Sequence, residues 1–187
     1  MKPLRIGVLA LQGNFREHVQ MLHRLGADAV EIRKADQLQD LDGLVIPGGE
    51  STTFMRLMGL YGLDEALRRF ERPVFGTCAG MIVLDREHLD LVDITVRRNA
   101  FGRQRDSFET DLDVVGVEGP VRAVFIRAPW IEEVGPNVEV LAEVAGRPVL
   151  ARDGRFLVAA FHPELTDDTR LHAAFLELVR EEQGVRA

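Results

Sequence analysis

Cysteine is almost missing from this sequence: there is one, Cys78, in 187 residues, and aromatic residues make up only 6%. A single cysteine cannot close an internal disulfide, so nothing points to an oxidising compartment. Long apolar runs are also missing. The first, within "MKPLRIGVLALQGNF", is interrupted at once by Gln12, Asn14 and Arg16. It is too short for a signal-peptide core with a cleavage site, and far too short for a membrane span. A cytoplasmic, little-processed protein with no membrane association is expected. There is no excess of positive charge either. The net charge is −7, which argues against nucleic acid as the main partner, because phosphate binding wants a basic face. Arg97, Arg98, Arg103 and Arg105 do cluster. They read either as a solvated loop or as a site for an anionic group, and charge pattern alone favours the loop. Three nucleotide and metal signatures are absent as well. No G-x-x-x-x-G-K-[ST] lysine follows a glycine-rich stretch, and "GVLALQG" at 7–13 does not supply a G-x-G-x-x-G fingerprint. No cysteine and histidine cluster has zinc spacing, so no metal is expected.

What is present reads as one globular domain over residues 1–187, with no repeat, low-complexity stretch or linker. Residues 4–10, 29–33, 43–47 and 73–77 are short apolar runs bounded by turn formers, which predicts buried strands. Between them, 15–25 places Phe15, Val19, Leu22 and Leu25 at helical spacing and stops at Gly26. Residues 51–70 read as helix with a break near Gly59–Gly62, and 79–87 as a further helix. This alternation predicts a parallel sheet covered on both faces. The second half changes character. Candidate strands at 92–97, 108–115, 121–127, 138–144, 148–152 and 156–161 are separated by "VEGP", "VGPN", "AGRP" and "RDGR". They predict antiparallel pairs added to the parallel core. A helix over 167–182, with Leu171, Phe175, Leu178 and Val179 on one face, closes the chain.

Cys78 lies in "GTCAG", residues 76–80, after a strand and before a helix. Gly-x-nucleophile-x-Gly in that context is the pattern of a nucleophile elbow, where side chains flanking the nucleophile would clash. The helix that follows directs its N-terminus at the sulfur, and the amide of Ala79 is placed to donate to a developing oxyanion. The plain alternative is a small buried residue among glycines. A thiolate nucleophile wants a base. Of five histidines, His18, His23, His88 and His172 fall on helix faces or ends, where a solvated ring is expected. His162, in "AAFHPEL", instead ends an apolar strand, where catalytic groups collect in open α/β sheets. Pro163 keeps His162 out of the helical region. In an extended segment Glu164 then lies on the same side and can fix the imidazole tautomer. "PGGEST" (47–52) follows another apolar strand, and its glycines let backbone amides approach a ligand.

With these residues in hand, the chain resembles the class I glutamine amidotransferases. More narrowly, it is similar to the glutaminase subunits of pyridoxal 5′-phosphate synthase. "IGVLALQGNFREH" (6–18), "LVIPGGESTT" (44–53), "FGTCAGMIVL" (75–84), "RNAFGRQRDSFE" (98–109), "FIRAP" (125–129) and "FHPELTDD" (161–168) carry the resemblance. It implies a flavodoxin-like three-layer sandwich: a mostly parallel central sheet, with extra antiparallel strands in the second half. It implies Cys78 as nucleophile, His162 as general acid/base and Glu164 as the orienting carboxylate. The amides of Gly48, Gly49 and Ala79 would form the oxyanion hole. Gly49, Glu50, Ser51, Arg98, Ile126 and Arg127 would hold the glutamine head group. Gln12 and Gly13 would lie where a (β/α)8 synthase partner docks to form a large hetero-oligomer, and no cofactor is needed in this chain. "DREHLDLVDIT" is shorter than the family's segment at that place. On the residues alone, a stand-alone cysteine hydrolase and a non-catalytic binding protein remain as rivals.

Overall fold

The computed structural model describes residues 2–102 and 107–186. In chain order the elements are β1 (Arg5–Leu9), α1 (Phe15–Arg24), β2 (Asp28–Ile32), β3 (Gly43–Ile46), α2 (Ser51–Leu60), α3 (Leu63–Arg68), β4 (Val74–Thr77) and α4 (Ala79–Leu84). They continue with β5 (Ile94–Arg97), β6 (Ser107–Leu112), β7 (Val121–Ile126), β8 (Trp130–Val134), β9 (Glu139–Val144), β10 (Arg147–Asp153), β11 (Phe156–Ala159) and α5 (Arg170–Arg186). Seven strands form one sheet in the order β2-β1-β3-β4-β11-β10-β9. The first five run parallel, while β10 and β9 add on antiparallel. The fold is therefore α/β with a mostly parallel central sheet.

β3, β4 and β11 are buried along their whole length. Strands with helices on both faces must be apolar on both faces. The alternation along β4 shows the layers. Phe75 meets the rings of His172 and Phe175 of α5 at 5.8 and 5.7 Å, and Thr77 meets His18 of α1. Gly76, between them, turns the other way, onto Gly80 and Leu84 of α4. α1 and α5 thus cover one face, and α4 with its neighbour α2 the other. Strand order doubles back at β1, whose neighbours are β2 and β3. The loops after β1 and β3 therefore leave the same edge of the sheet at the point where strand order reverses, the switch point of a doubly wound fold.

Three features depart from the sequence reading. α4 ends at Leu84 rather than near 87. Asp85 turns extended there (φ −68°, ψ 176°), and its buried Oδ1 accepts from the amides of Glu87 (2.9 Å) and His88 (3.1 Å). That acceptor closes the short segment 85–93 directly into β5. β8 was not anticipated: Glu132 and Glu133 mask an extended run lying between Pro129 and Gly135, and the strand forms by pairing with β5. The second-half strands also divide three ways. β9 and β10 extend the main sheet, β5–β8 and β6–β7 form separate two-stranded sheets, and β11 runs parallel beside β4. Much of the small aromatic content joins these pieces. Phe108 stacks on Phe125 at 4.6 Å, and Phe101 packs edge-on against Phe108, Phe125 and Trp130. Phe125 in turn meets Phe161, just beyond β11, at 5.4 Å.

The tightest approach of one backbone to another in the core is at Gly80. A Cβ there would overlap the Ile46 carbonyl oxygen and stand 2.8 Å from its carbon. Gly80→Ala is expected to cost about 2 kcal/mol or more, since neither backbone can give way. Gly59→Ala, with Asp64 Oδ2 at 3.9 Å as nearest neighbour, should be neutral or gain up to about 1 kcal/mol. Urea midpoints at constant slope measure both, and equal midpoints for the two variants would contradict the packing described.

Candidate active site

Four strand ends build the site. β4 and β11 pair in parallel with Thr77 opposite Ala159, and the Cys78 amide donates to the Ala159 carbonyl at 2.7 Å. Cys78 then turns through φ 50°, ψ −106°, and Ala79 opens α4. A non-glycine residue in that region is strained and persists only where its surroundings hold it. Beyond β11, the His162 amide donates to Val124 O of β7 at 2.8 Å, which anchors the ring next to the cysteine. β3 lies on the other side of β4, and the loop after it brings in Gly48. A Cβ on Gly48 would come 2.5 Å from His162 Cε1 and 3.2 Å from Cys78 Cβ, so the loop rests against both side chains. β1 supplies the fourth loop. Gly13 (φ 81°) lies so close to the Gly48 carbonyl that only glycine fits, and the Gln12 carboxamide lies against Gly49. Gln12 Oε1 accepts from the Glu50 amide at 3.1 Å.

His162 Nδ1 meets Glu164 Oε1 at 2.7 Å, and both side chains are buried. The pair forms differently from the extended segment expected. His162 is non-helical (φ −107°, ψ 85°), but Pro163–Leu165 make a 3-10 turn, with proline at a first position that suits its fixed φ. The turn brings the carboxylate back under the ring. Asn14 Nδ2 also donates to Glu164 Oε1, at 3.3 Å. Burial by itself would push the His162 imidazole down. Cys78 and then Glu164, through hydrogen bonding and charge, outweigh burial and bring it up to about 10. For Glu164, burial opposes ionisation, while His18 and then His162 favour it and hold the carboxyl at about 2. The pair is therefore imidazolium and carboxylate across the neutral range.

Two histidines expected to be solvated are not. His18 and His172 are both fully buried. His18 Nδ1 lies 2.8 Å from His172 Nε2, and His18 Nε2 lies 3.2 Å from Thr77 Oγ1 and 3.4 Å from Glu164 Oε2. A usable signal was present in the sequence. His18 lies three residues after Phe15 and four before Leu22, and His172 three before Phe175, so each shares the apolar face of its helix. Among the others, His23 is exposed, and the half-buried His88 Nδ1 bonds to Asp85 Oδ1 at 2.7 Å.

A cavity of about 500 Å³ opens over Cys78. Gly13, Gly49, Glu50, Ser51, Arg98, Ile126, Arg127 and His162 line it, all of them residues singled out in the sequence; Asn14, Ile82, Asn99 and Pro129, which were not, line it too. Arg127 and Asn99 both have positive φ (43° and 47°), which re-aims the chain at the rim. Ser51 Oγ is buried and finds no hydrogen-bond partner among the described residues. The Glu50 side chain is already committed. It caps α2 by accepting from the amides of Thr52 (2.9 Å) and Thr53 (2.7 Å), and Arg98 reaches it at 3.4 Å. The Thr53 hydroxyl and amide, with the Thr52 amide, hold its carboxyl at about 2. Arg97 turns instead towards Glu132 and Trp130. Arg103 and Arg105 lie outside the described residues.

The buried histidines predict an acid-sensitive fold. Burial first, and the neighbouring His18 second, push His172 down to about 3. Burial likewise lowers His18, with Glu164 opposing and His162 assisting. Unfolded chains protonate such histidines near pH 6.5, so the unfolded state binds more protons below that value. Stability is then full above about pH 6.5 and falls as the pH drops towards 3. His162 works in the opposite sense, losing its contribution as the pH rises through about 10. Chemical denaturation should show more than about 1 kcal/mol lost between pH 7 and pH 5.5, with a shallower slope in His172→Leu. A flat profile would mean that the folded protein accepts those protons.

Residues 8–181 match the family described as the SNO glutamine amidotransferase family. The chain is 55% identical over 188 residues to a pyridoxal 5′-phosphate synthase subunit PdxT of Niallia circulans, covering 95% of this chain and 99% of that one. It is 56% identical over 199 residues to the protein of the same name from Parafrankia sp. (strain EAN1pec), covering 100% and 98%. A crystal structure described as a glutamine amidotransferase superposes with a TM-score of 0.89 at 48% identity, over 93% of this chain and 98% of that one. The structure of PurLQS from Thermotoga maritima superposes at 0.70 with 16% identity, over 95% and 99%, a likeness of fold alone. With its cysteine elbow and its buried histidine and carboxylate, this chain belongs to the SNO glutamine amidotransferase family.

Proposed function

We propose that this chain hydrolyses L-glutamine to L-glutamate and ammonia, and hands the ammonia to a synthase partner for pyridoxal 5′-phosphate formation. The observation that carries the reading is the strained turn at Cys78, facing a buried His162 that bonds Glu164 at 2.7 Å. Cys78 Sγ attacks the side-chain amide carbon, and the carbonyl electrons move onto oxygen. The Gly48, Gly49 and Ala79 amides receive that oxyanion. His162 holds the proton taken from the thiol and gives it to the leaving nitrogen as the C–N bond breaks. Ammonia departs and a glutamyl thioester remains. Water then adds with His162 as base, the C–S bond breaks, and glutamate leaves. Glu164 keeps the ring oriented and its positive charge matched throughout. The names of the PdxT relatives, and the near-complete coverage of both chains, support the choice of glutamine and of a synthase partner. The partner has the (β/α)8 architecture, and the ammonia is joined there to a pentose phosphate and a triose phosphate.

The glutamine head group lies in the cavity among Gly49, Glu50, Ser51, Arg98, Ile126 and Arg127. The unpartnered Ser51 hydroxyl is suited to it. Glu50, tied to the α2 amides and to Arg98, acts chiefly by holding the loop and its backbone amide in place. Gln12 and Gly13 form part of the docking edge. Their contacts with Gly48, Gly49 and the Glu50 amide give a docked partner a mechanical route to the oxyanion amides.

Cys78→Ala should abolish ammonia release from glutamine while leaving the thermal melt in place. His162→Asn should lose about 10²–10⁴-fold in kcat, because it removes the proton carrier. Glu164→Gln should lose less and leave glutamine binding near wild type. Wild-type turnover in Cys78→Ala, or a Glu164→Gln loss larger than that of His162→Asn, would overturn these roles. Asparagine and peptides, assayed alongside, should not be cleaved.

Adding the synthase should raise glutaminase activity at least about tenfold, a shift of about 1.4 kcal/mol in the competent population. Gln12→Ala should lose that rise. Full activity in the free chain, unchanged by the synthase, would refute the switch and leave the chemistry standing.

A further inference from the structure

Three buried polar groups behind the carboxylate, His18, His172 and Thr77, take no part in the chemistry of glutamine hydrolysis as derived from Cys78, His162 and Glu164. They lie on three different elements, α1, α5 and the end of β4, and meet in one place. Fully buried polar side chains cost free energy unless each finds a partner, so three gathered behind one carboxylate need an explanation.

The distances order them into a chain. Glu164 Oε1 is occupied by His162 Nδ1 at 2.7 Å and by Asn14 Nδ2 at 3.3 Å. Glu164 Oε2 is buried with no hydrogen-bond partner among the described residues; His18 Nε2, which bonds Thr77 Oγ1 at 3.2 Å, lies 3.4 Å from it. On the far side of the same ring, His18 Nδ1 meets His172 Nε2 at 2.8 Å. His172 Nδ1 is buried with no partner among the described residues.

Only one proton arrangement serves all of these groups. Suppose His18 carried its proton on Nδ1 and donated to His172. Its Nε2 lone pair would then face the Glu164 carboxylate, and His172 would be left with an orphaned N–H donor in the core. With the proton on His18 Nε2, the ring offers an N–H to Thr77 Oγ1 and Glu164 Oε2. His172 Nε2–H then donates to His18 Nδ1, and the atom left unpaired is His172 Nδ1, a bare acceptor. An unpaired N–H is rare in folded proteins, and a lone pair facing a carboxylate is repulsive, so the second arrangement holds.

We propose that His18 is a positioning residue for the reaction: its Nε2–H steadies the second oxygen of Glu164, and His172 sets the tautomer that makes this possible. The inference rests on the proposed roles of Cys78, His162 and Glu164. A carboxylate held at one oxygen can rotate about its last torsion; held at both, it keeps its in-plane lone pair on His162 Nδ1. The imidazolium that gives its proton to the leaving nitrogen then meets its counter-charge at a set angle. His18 is a neutral donor in this role. A second positive charge beside His162 would instead draw the carboxylate away from it.

The test combines kinetics with a direct view of the proton. His18→Leu fills the space and removes the donor. It should lower kcat at least about tenfold, with KM for glutamine within about twofold, assayed in the full chain with its synthase partner. His18→Gln places an N–H where Nε2 stood and should recover most of that loss. In wild-type protein carrying ¹⁵N-histidine, His18 should show a protonated Nε2 and an unprotonated Nδ1 at neutral pH. A protonated Nδ1 with a bare Nε2, or His18→Leu turning over at the wild-type rate, would overturn the proposal. If His18→Leu fails to fold, the tautomer measurement and the His18→Gln rate still decide it. Cys78→Ala is the control for the underlying reading: glutamine turnover in that variant would refute the mechanism itself, whatever the tautomer of His18.

Discussion

The parallel pairing of β4 with β11 is the constraint on which this site depends. Its last rung is the bond from the Cys78 amide to the Ala159 carbonyl. That rung ends one strand at the cysteine and leaves two residues, Ala160 and Phe161, between the end of the other and the histidine. Two residues far apart in sequence are thereby brought side by side at the same edge of the sheet. β3, paired to the opposite side of β4, brings its glycine loop to the same edge. Parallel strands place all their C-terminal loops together, which an antiparallel meander of the same residues would not do. The cost is local strain. Cys78 is held at positive φ, and Gly76 and Gly80 pack so closely around it that neither tolerates a side chain easily.

The electrostatics follow from that packing. A buried ion pair is favourable only where hydrogen bonds complete it, because both charges leave water. His162 and Glu164 meet the condition at 2.7 Å, with Asn14 on the carboxylate and Cys78 beside the imidazole. Beyond them the environment becomes neutral again, through His18 and His172, before the apolar core begins at Phe75 and Phe175. Polarity therefore falls off in steps from the cavity inward. Each polar group up to His18 is held between one partner nearer the surface and another nearer the core, and His172 ends the series.

The second half of the chain supports the site from outside the parallel sheet. β7 supplies the carbonyl that anchors His162, and the turns after β5 and β7 carry Arg98 and Arg127 to the rim. The aromatic cluster of Phe101, Phe108, Phe125 and Phe161 joins those turns to the end of β11. Few contacts set the position of a cavity wall made of turns, so concentrating the large rings there places rigidity where the loops alone would lack it.

Periodicity and turn chemistry in the sequence determined much of the architecture: the early strand and helix alternation, the break at Gly62, the glycine-flanked cysteine and the histidine at a strand end. Each is a local pattern, in which the residues that cause the structure lie within a few positions of one another. Where partners are remote, the sequence was silent. It did not reveal β8, whose strand exists because β5 pairs with it. Nor did it show that β11 joins the parallel sheet, or that Asp85 ends α4 by gathering two amides. His18 and His172 are the clearest case. Each lies on the apolar face of its own helix, but whether a histidine there is buried depends on what the other helix presents. Their meeting behind Glu164, 154 positions apart along the chain, is set by the packing of α1 and α5 against β4, because only that packing excludes water from all three elements at once.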